Sequence, residues 1–141
     1  MTPRDALQTT LAGEHAAVYV YRALGGRVSA SAEPGLARDL TDGYVTHRAR
    51  RDQLAAMVRA VHGDPVAADV SYELPNAART ATQLREAALV TEQRMAGVYA
   101  QTVGSTAQAD RQWAIDALAD AAVRQLRFGG RTDAFPGVAE L

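Results

Sequence analysis

The stretch DPVAADVSYELP, residues 64–75, separates two long helical patterns and decides how they can be arranged. Asp64 and Pro65 stop the pattern that precedes it. Fully extended, its twelve residues reach ~40 Å, close to the length of a helix of about 28 residues at ~1.5 Å per residue. A link of that reach can run the full length of a bundle, whereas a short link forces the helices it joins to lie antiparallel as neighbours.

Working outward from this link, four amphipathic helices are predicted and no strand pattern of comparable strength. The first covers about residues 3–24, opened by Thr2, Pro3 and Asp5 and stopped by Gly25 and Gly26, with Leu7, Leu11, Val18 and Tyr21 on one face. The second covers about 34–62, with Leu36, Leu40, Leu54 and Val58 aligned. The third covers about 77–103 and the fourth 106–128, for which Ser105 is the expected cap and Ile115, Leu118, Ala122 and Leu126 the expected inner face. Helices one and two, and three and four, are joined by short turns. The expected fold class is therefore all-α: one domain over residues 1–141, built as a four-helix bundle of two hairpins joined by a long crossover, with a short tail docked through Phe135.

Composition narrows the function classes. The chain is 48% hydrophobic and 22% charged with a formal net charge of -1, which removes a general electrostatic grip on nucleic acid or an anionic membrane. All fifteen basic residues are arginine. Cysteine is absent, which excludes disulfides, thiolate nucleophiles and sulfur-ligated metals. No uncharged apolar run approaches the ~20 residues of a membrane span. A soluble, cytoplasmic protein is expected, without nucleic acid or membrane partners.

Placed on helical wheels, three ionisable residues fall inside apolar stripes. Glu14 lies among Leu7, Val18 and Tyr21, His47 among Leu36, Leu40, Leu54 and Val58, and Glu92 among Ala88, Tyr99 and Val103. Each stands near the middle of its helix, so the three are expected to meet at the waist of the bundle, flanked by Tyr44 and Arg51. Buried carboxylates need a cation, a proton or a dense set of hydrogen bonds. The residues offer either a metal ion or arginine with histidine, so the candidate site is a buried polar layer of Glu14, Tyr44, His47, Arg51 and Glu92.

The segments LAGEHAAVYVYRALGG (residues 11–26), HRARRDQL (47–54), YELP (72–75) and AFPG (134–137) are similar to an actinobacterial ferritin-like domain family of unknown function, and the whole chain resembles the ferritin-like superfamily. That resemblance implies a glutamate on two helices and a Glu-x-x-His on the other two as di-metal ligands. Glu14, Glu92 and His47 match. Tyr44 replaces the acid three residues before His47, and the fourth-helix windows at Asp116–Ala119 and Asp120–Val123 contain no histidine. The pattern is that of a degenerate metal centre.

The expectation is thus a non-enzymatic structural or binding module without a cofactor, its centre filled by a Glu/His/Arg network with Arg51 as charge partner. The alternative is an iron- or manganese-dependent oxidase, or an iron-binding protein, using Glu14, His47 and Glu92. An unknown small anionic ligand held by Arg51 is a third reading. Arg48–Asp52 and Asp120–Arg124 read as solvated helix pairs. His15 reads as a boundary residue, and His62 as a helix-closing one. Trp113, Ala117, Arg124 and Phe128 form a second stripe on the fourth helix, for which a homodimer interface is expected, with docking of the tail as the alternative.

Overall fold

Thr2 starts α1 (Pro3–Gly25) with a capping box: its hydroxyl accepts from the Asp5 amide at 3.1 Å, and the Asp5 carboxylate accepts from the Thr2 amide at 3.0 Å. In this computed structural model, which describes residues 1–138, three more helices follow: α2 (Pro34–Ala60), α3 (Ala81–Ser105) and α4 (Gln108–Arg127). α2 closes in a Schellman turn, with the Gly63 amide donating to the Val58 carbonyl at 2.9 Å and the His62 amide to that of Arg59 at 3.0 Å. His62 takes the left-handed position of that turn at φ 56°, where glycine is the usual occupant.

Two helix starts differ from the sequence expectation. α3 begins at Ala81 because Thr80 caps it, its hydroxyl accepting from the Gln83 amide at 3.2 Å. Asn76 instead ties down the approach, accepting from the Ala78 amide and donating to the Gln83 carbonyl, both at 2.8 Å. α3 also runs through Ser105, so Ser105 caps nothing, and α4 starts after Ala107 with no side-chain cap.

The paired side chains give the topology. Along α1, Thr10, Glu14 and Tyr21 meet Thr102, Tyr99 and Glu92 of α3 in that order, so the two helices run antiparallel. Leu7 and Leu11 pack with Leu54 and Val58, while Tyr21 and Leu24 pack with Leu36 and Leu40, which makes α1 antiparallel to α2 as well. α2 and α3 are therefore parallel, and the link between them travels the length of the bundle. Gln8 and His15 fasten it to α1: the Val66 amide donates to Gln8 Oε1 at 2.9 Å, and the His15 ring meets the Val66 carbonyl at 2.9 Å.

Apolar clusters fill both ends of the bundle, one around Tyr21, Leu24, Leu40, Ala88 and Phe128, the other around Leu7, Leu11, Leu54 and Val58. Close backbone contact joins α1 to α2 and α3, and α3 to α4, but not α2 to α4. That last seam is bridged by polar side chains in antiparallel order: Asp42 with Arg127, Thr46 with Arg124, Arg50 with Asp120, and Gln53 with Trp113.

α4 is rotated relative to the sequence expectation. Ala114, Ala117, Ala121 and Arg124 face inward, whereas Ile115 and Leu126 are 42% and 44% exposed. Small residues let α4 sit close to α3, and that contact outweighs the area its larger aliphatics would bury. The stripe of Trp113, Ala117, Arg124 and Phe128, expected at a subunit interface, is thus turned into the bundle. The tail also departs from expectation: Phe135 is 72% exposed. Gly137 is buried against the Ala96–Gly97 backbone, too close for any side chain. Among the described residues, no helix is long and apolar enough to cross a membrane.

Candidate functional site

Between the two apolar ends, His47 of α2 is fully buried with a carboxylate at each ring nitrogen. Nδ1 lies 2.7 Å from Glu14 Oε2 and Nε2 lies 3.0 Å from Glu92 Oε1. Carboxylates in this setting accept, so both nitrogens must donate, which requires the doubly protonated ring. Burial opposes the charge, but the attraction and hydrogen bonds of Glu14 and then Glu92 override it and hold the His47 pKa up at about 9.

Two phenols complete the carboxylate partners. The Tyr21 hydroxyl donates to Glu92 Oε1 at 2.5 Å, and the Tyr99 hydroxyl donates to Glu14 Oε1. Burial, then the charge of the adjoining glutamate, push both phenols well above their ordinary pKa, so they remain donors. The spacing behind this is shared: Tyr21 follows Glu14 by seven residues on α1, and Tyr99 follows Glu92 by seven on α3. Seven residues return to nearly the same helix face. Because the helices are antiparallel, each tyrosine reaches the glutamate of the other helix, a reciprocal pairing with His47 between the two. The Tyr21 ring also stacks on the imidazole, 5.2 Å between centroids.

Arginines from α2 and α4 close the layer. Arg124 places Nε 3.5 Å from Glu92 Oε1, and its Nη2 donates to Thr46 Oγ1 at 3.0 Å and Asp120 Oδ2 at 3.1 Å. Arg50 donates from Nη1 to the Tyr99 hydroxyl at 3.3 Å and from Nη2 to Asp120 Oδ2 at 2.8 Å. Burial disfavours the Asp120 charge, yet Arg124 and Arg50 together draw its pKa below the usual carboxylate range. Three cations, His47, Arg50 and Arg124, thus face three carboxylates, Glu14, Glu92 and Asp120. Among the described residues, the buried side-chain atoms without a hydrogen-bond partner are Glu92 Oε2 with Arg124 Nε and Nη1, so the Glu92 side is the less saturated.

Of the residues expected from sequence, Glu14, His47 and Glu92 come together here. Tyr44 and Arg51 do not. Tyr44 packs with the apolar cluster around Leu40 and lines a cavity of about 210 Å³ with Tyr21, Arg22 and Thr41. Arg51 points outward to Asp52, 2.8 Å away, and Arg48 is not Asp52's partner. Arg50, one residue earlier, is on the side of His47 that faces α4. The Asp120–Arg124 pair exists, but it is part of the buried layer rather than a solvated pair. Sequence reasoning missed Tyr21 and Tyr99 as donors because their rings counted as apolar. The repeated Glu-x6-Tyr spacing was the available signal.

The donor set does not fit a metal ion. The two nitrogens of one imidazole point away from each other, and each is taken by a different carboxylate, so Glu14, His47 and Glu92 share no common point for a cation. Among the described residues, no group of three or more histidine or acidic side chains is arranged to hold one. Arg124 and Arg50 already supply positive charge at the same level.

Fold and site define an all-α four-helix bundle with a buried carboxylate, imidazolium and guanidinium layer. The chain belongs to the family described as a domain of unknown function (DUF4439), which it matches over residues 6–140. It is similar in structure to a conserved hypothetical protein, rv2844, from Mycobacterium tuberculosis. The TM-score is 0.82 at 29% sequence identity, and the match covers 90% of this chain and 94% of that one. A comparison with curated proteins finds no match.

Proposed function

We propose that the chain is a non-enzymatic structural or binding module of ferritin-like descent, in which a former ligand layer has become a fixed ion-pair network. The observation that supports this reading is His47 held between Glu14 and Glu92 by both ring nitrogens. A ring so engaged cannot also lend a lone pair to a metal. A buried network of this kind adds little net stability but penalises every other register of the helices, because a slip would leave charges unpaired in the core. In this role the layer aligns the two hairpins around one arrangement.

The competing reading is an iron or manganese centre on Glu14, His47 and Glu92. It requires the ring to turn away from one carboxylate and to lose a proton. Metal analysis of protein purified from iron- and manganese-supplemented cultures separates the two. The expected result is a metal content far below one equivalent, unchanged in Glu14→Ala. Near-stoichiometric metal in the native chain that disappears in Glu14→Ala overturns the proposal.

A further inference from the structure

α4 carries a second apolar stripe that the described residues cover only at one margin, where Leu118 leans on the cluster around Ala96, Ala117 and Ala121. Ile115, Val123 and Leu126 are 42%, 57% and 44% exposed, Ala119 is exposed, and Leu118 and Ala122 are partly so. These positions recur at spacings of three and four and so lie on one face. Isolated surface aliphatics need no explanation, but an aligned set is a contact surface. Its composition also reads the same in both directions: Ile115, Leu118, Ala119, Ala122, Val123, Leu126, or two large, two small, two large.

We propose that this face pairs with the same face of a second copy, the two α4 helices running antiparallel across a twofold axis. That axis sets Ile115 against Leu126 of the partner subunit, Leu118 against Val123 of the partner subunit, and Ala119 against Ala122 of the partner subunit. Every large side chain then meets a large one, and the alanines at the centre allow the helices to approach at the short end of the ~8–10 Å range of packed helices. A twofold contact of this sort uses one surface twice and closes on itself.

Charge selects the direction. Asp116 and Arg127 flank the stripe near opposite ends and both are exposed, although Arg127 also meets Asp42 of its own chain at 3.2 Å. Antiparallel pairing brings Asp116 within about a turn of Arg127 of the partner subunit, and the helix dipoles oppose head to tail. Parallel pairing would leave Asp116 and Arg127 of the partner subunit about three turns apart along the seam, without that ion pair. A membrane surface is the poorer occupant, since an interfacial helix borders its apolar face with basic residues, whereas this one is bordered by the acidic Asp116 as well as by Arg127. The stripe spans about three turns of one helix, less than the ~800 Å² per partner of a standard interface, so the dimer is reversible.

Sedimentation equilibrium of the full chain tests this. The native protein is expected to shift with concentration from 15.0 kDa toward twice that mass. Val123→Glu, at an exposed position, should stay monomeric with unchanged helical circular dichroism. Asp116→Arg should weaken association by about fivefold, the effect of the two symmetry-related surface charge pairs, with unchanged helical circular dichroism. A native chain that remains monomeric up to its solubility limit overturns the proposal, as does a Val123→Glu dimer as tight as the native one. Binding to phosphatidylglycerol-containing vesicles without self-association overturns it in favour of a membrane surface.

Discussion

The imidazole of His47 ties protonation to folding. In the folded chain its pKa is about 9, against ~6.5 in an unfolded one, so the folded state holds the proton more tightly. The resulting stabilisation is complete below about pH 6.5 and is lost as pH rises through about 9, a difference on the order of 3 kcal/mol. The buried phenols of Tyr21 and Tyr99 add a loss in the same direction only above about pH 10, where an unfolded tyrosine ionises. The urea midpoint should therefore fall between about pH 6 and pH 9.5 in the native chain and stay nearly level in His47→Gln. A native midpoint that does not move over that interval would show that the ring is neutral. Glu14, His47 and Glu92 could be read from sequence because a charged residue inside a leucine stripe is conspicuous. Arg124 could not, because it shares its face with alanines, and a face of alanines looks weak beside one carrying isoleucine and leucine.

At the level of the helices, α1 and α2 approach through a glycine. Gly43 is buried in α2 directly beneath the Tyr21 ring, where an added β-carbon would overlap the ring carbons. That contact aims the phenol at Glu92, so the glycine positions the layer as much as the tyrosine does. Gly43→Ala gains ~1 kcal/mol of helix propensity, but overpacking a ring with so little room costs more. The expected net effect is destabilisation by about 2 kcal/mol in urea melts, with Tyr21 displaced from Glu92. A variant more stable than the native chain would mean that α1 and α2 can separate freely. The helices themselves were legible from caps and periodicity. Their rotations were less so, because the periodicity of α4 offers two stripes and only the neighbouring α3 decides between them. Close approach favoured the face of Ala114, Ala117 and Ala121.

For the molecule as a whole, the length of the link between α2 and α3 was enough to predict a crossover and parallel α2 and α3, since chain reach is a geometric limit independent of packing. What that reasoning could not supply was the unequal quality of the four helix seams. Three combine close backbone approach with apolar or small side chains at the bundle ends, while α2 and α4 meet through Asp42, Thr46, Arg50 and Gln53 on one side and Arg127, Arg124, Asp120 and Trp113 on the other. Each of those residues reads alone as an ordinary surface group, and their partners lie some sixty to eighty-five positions away. Local opening follows the region with the least buried apolar contact. In deuterium-exchange mass spectrometry, the middle segments of α2 and α4 should exchange before those of α1 and α3, and the reverse order would refute the seam as the weak one. When the bundle gapes there, it presents mainly ionised and hydroxyl groups to water, with Trp113 the one large apolar side chain among the bridging residues. Brief excursions from the native state at this seam should therefore add little new surface for another unfolding chain to stick to, which limits aggregation from the partly opened bundle.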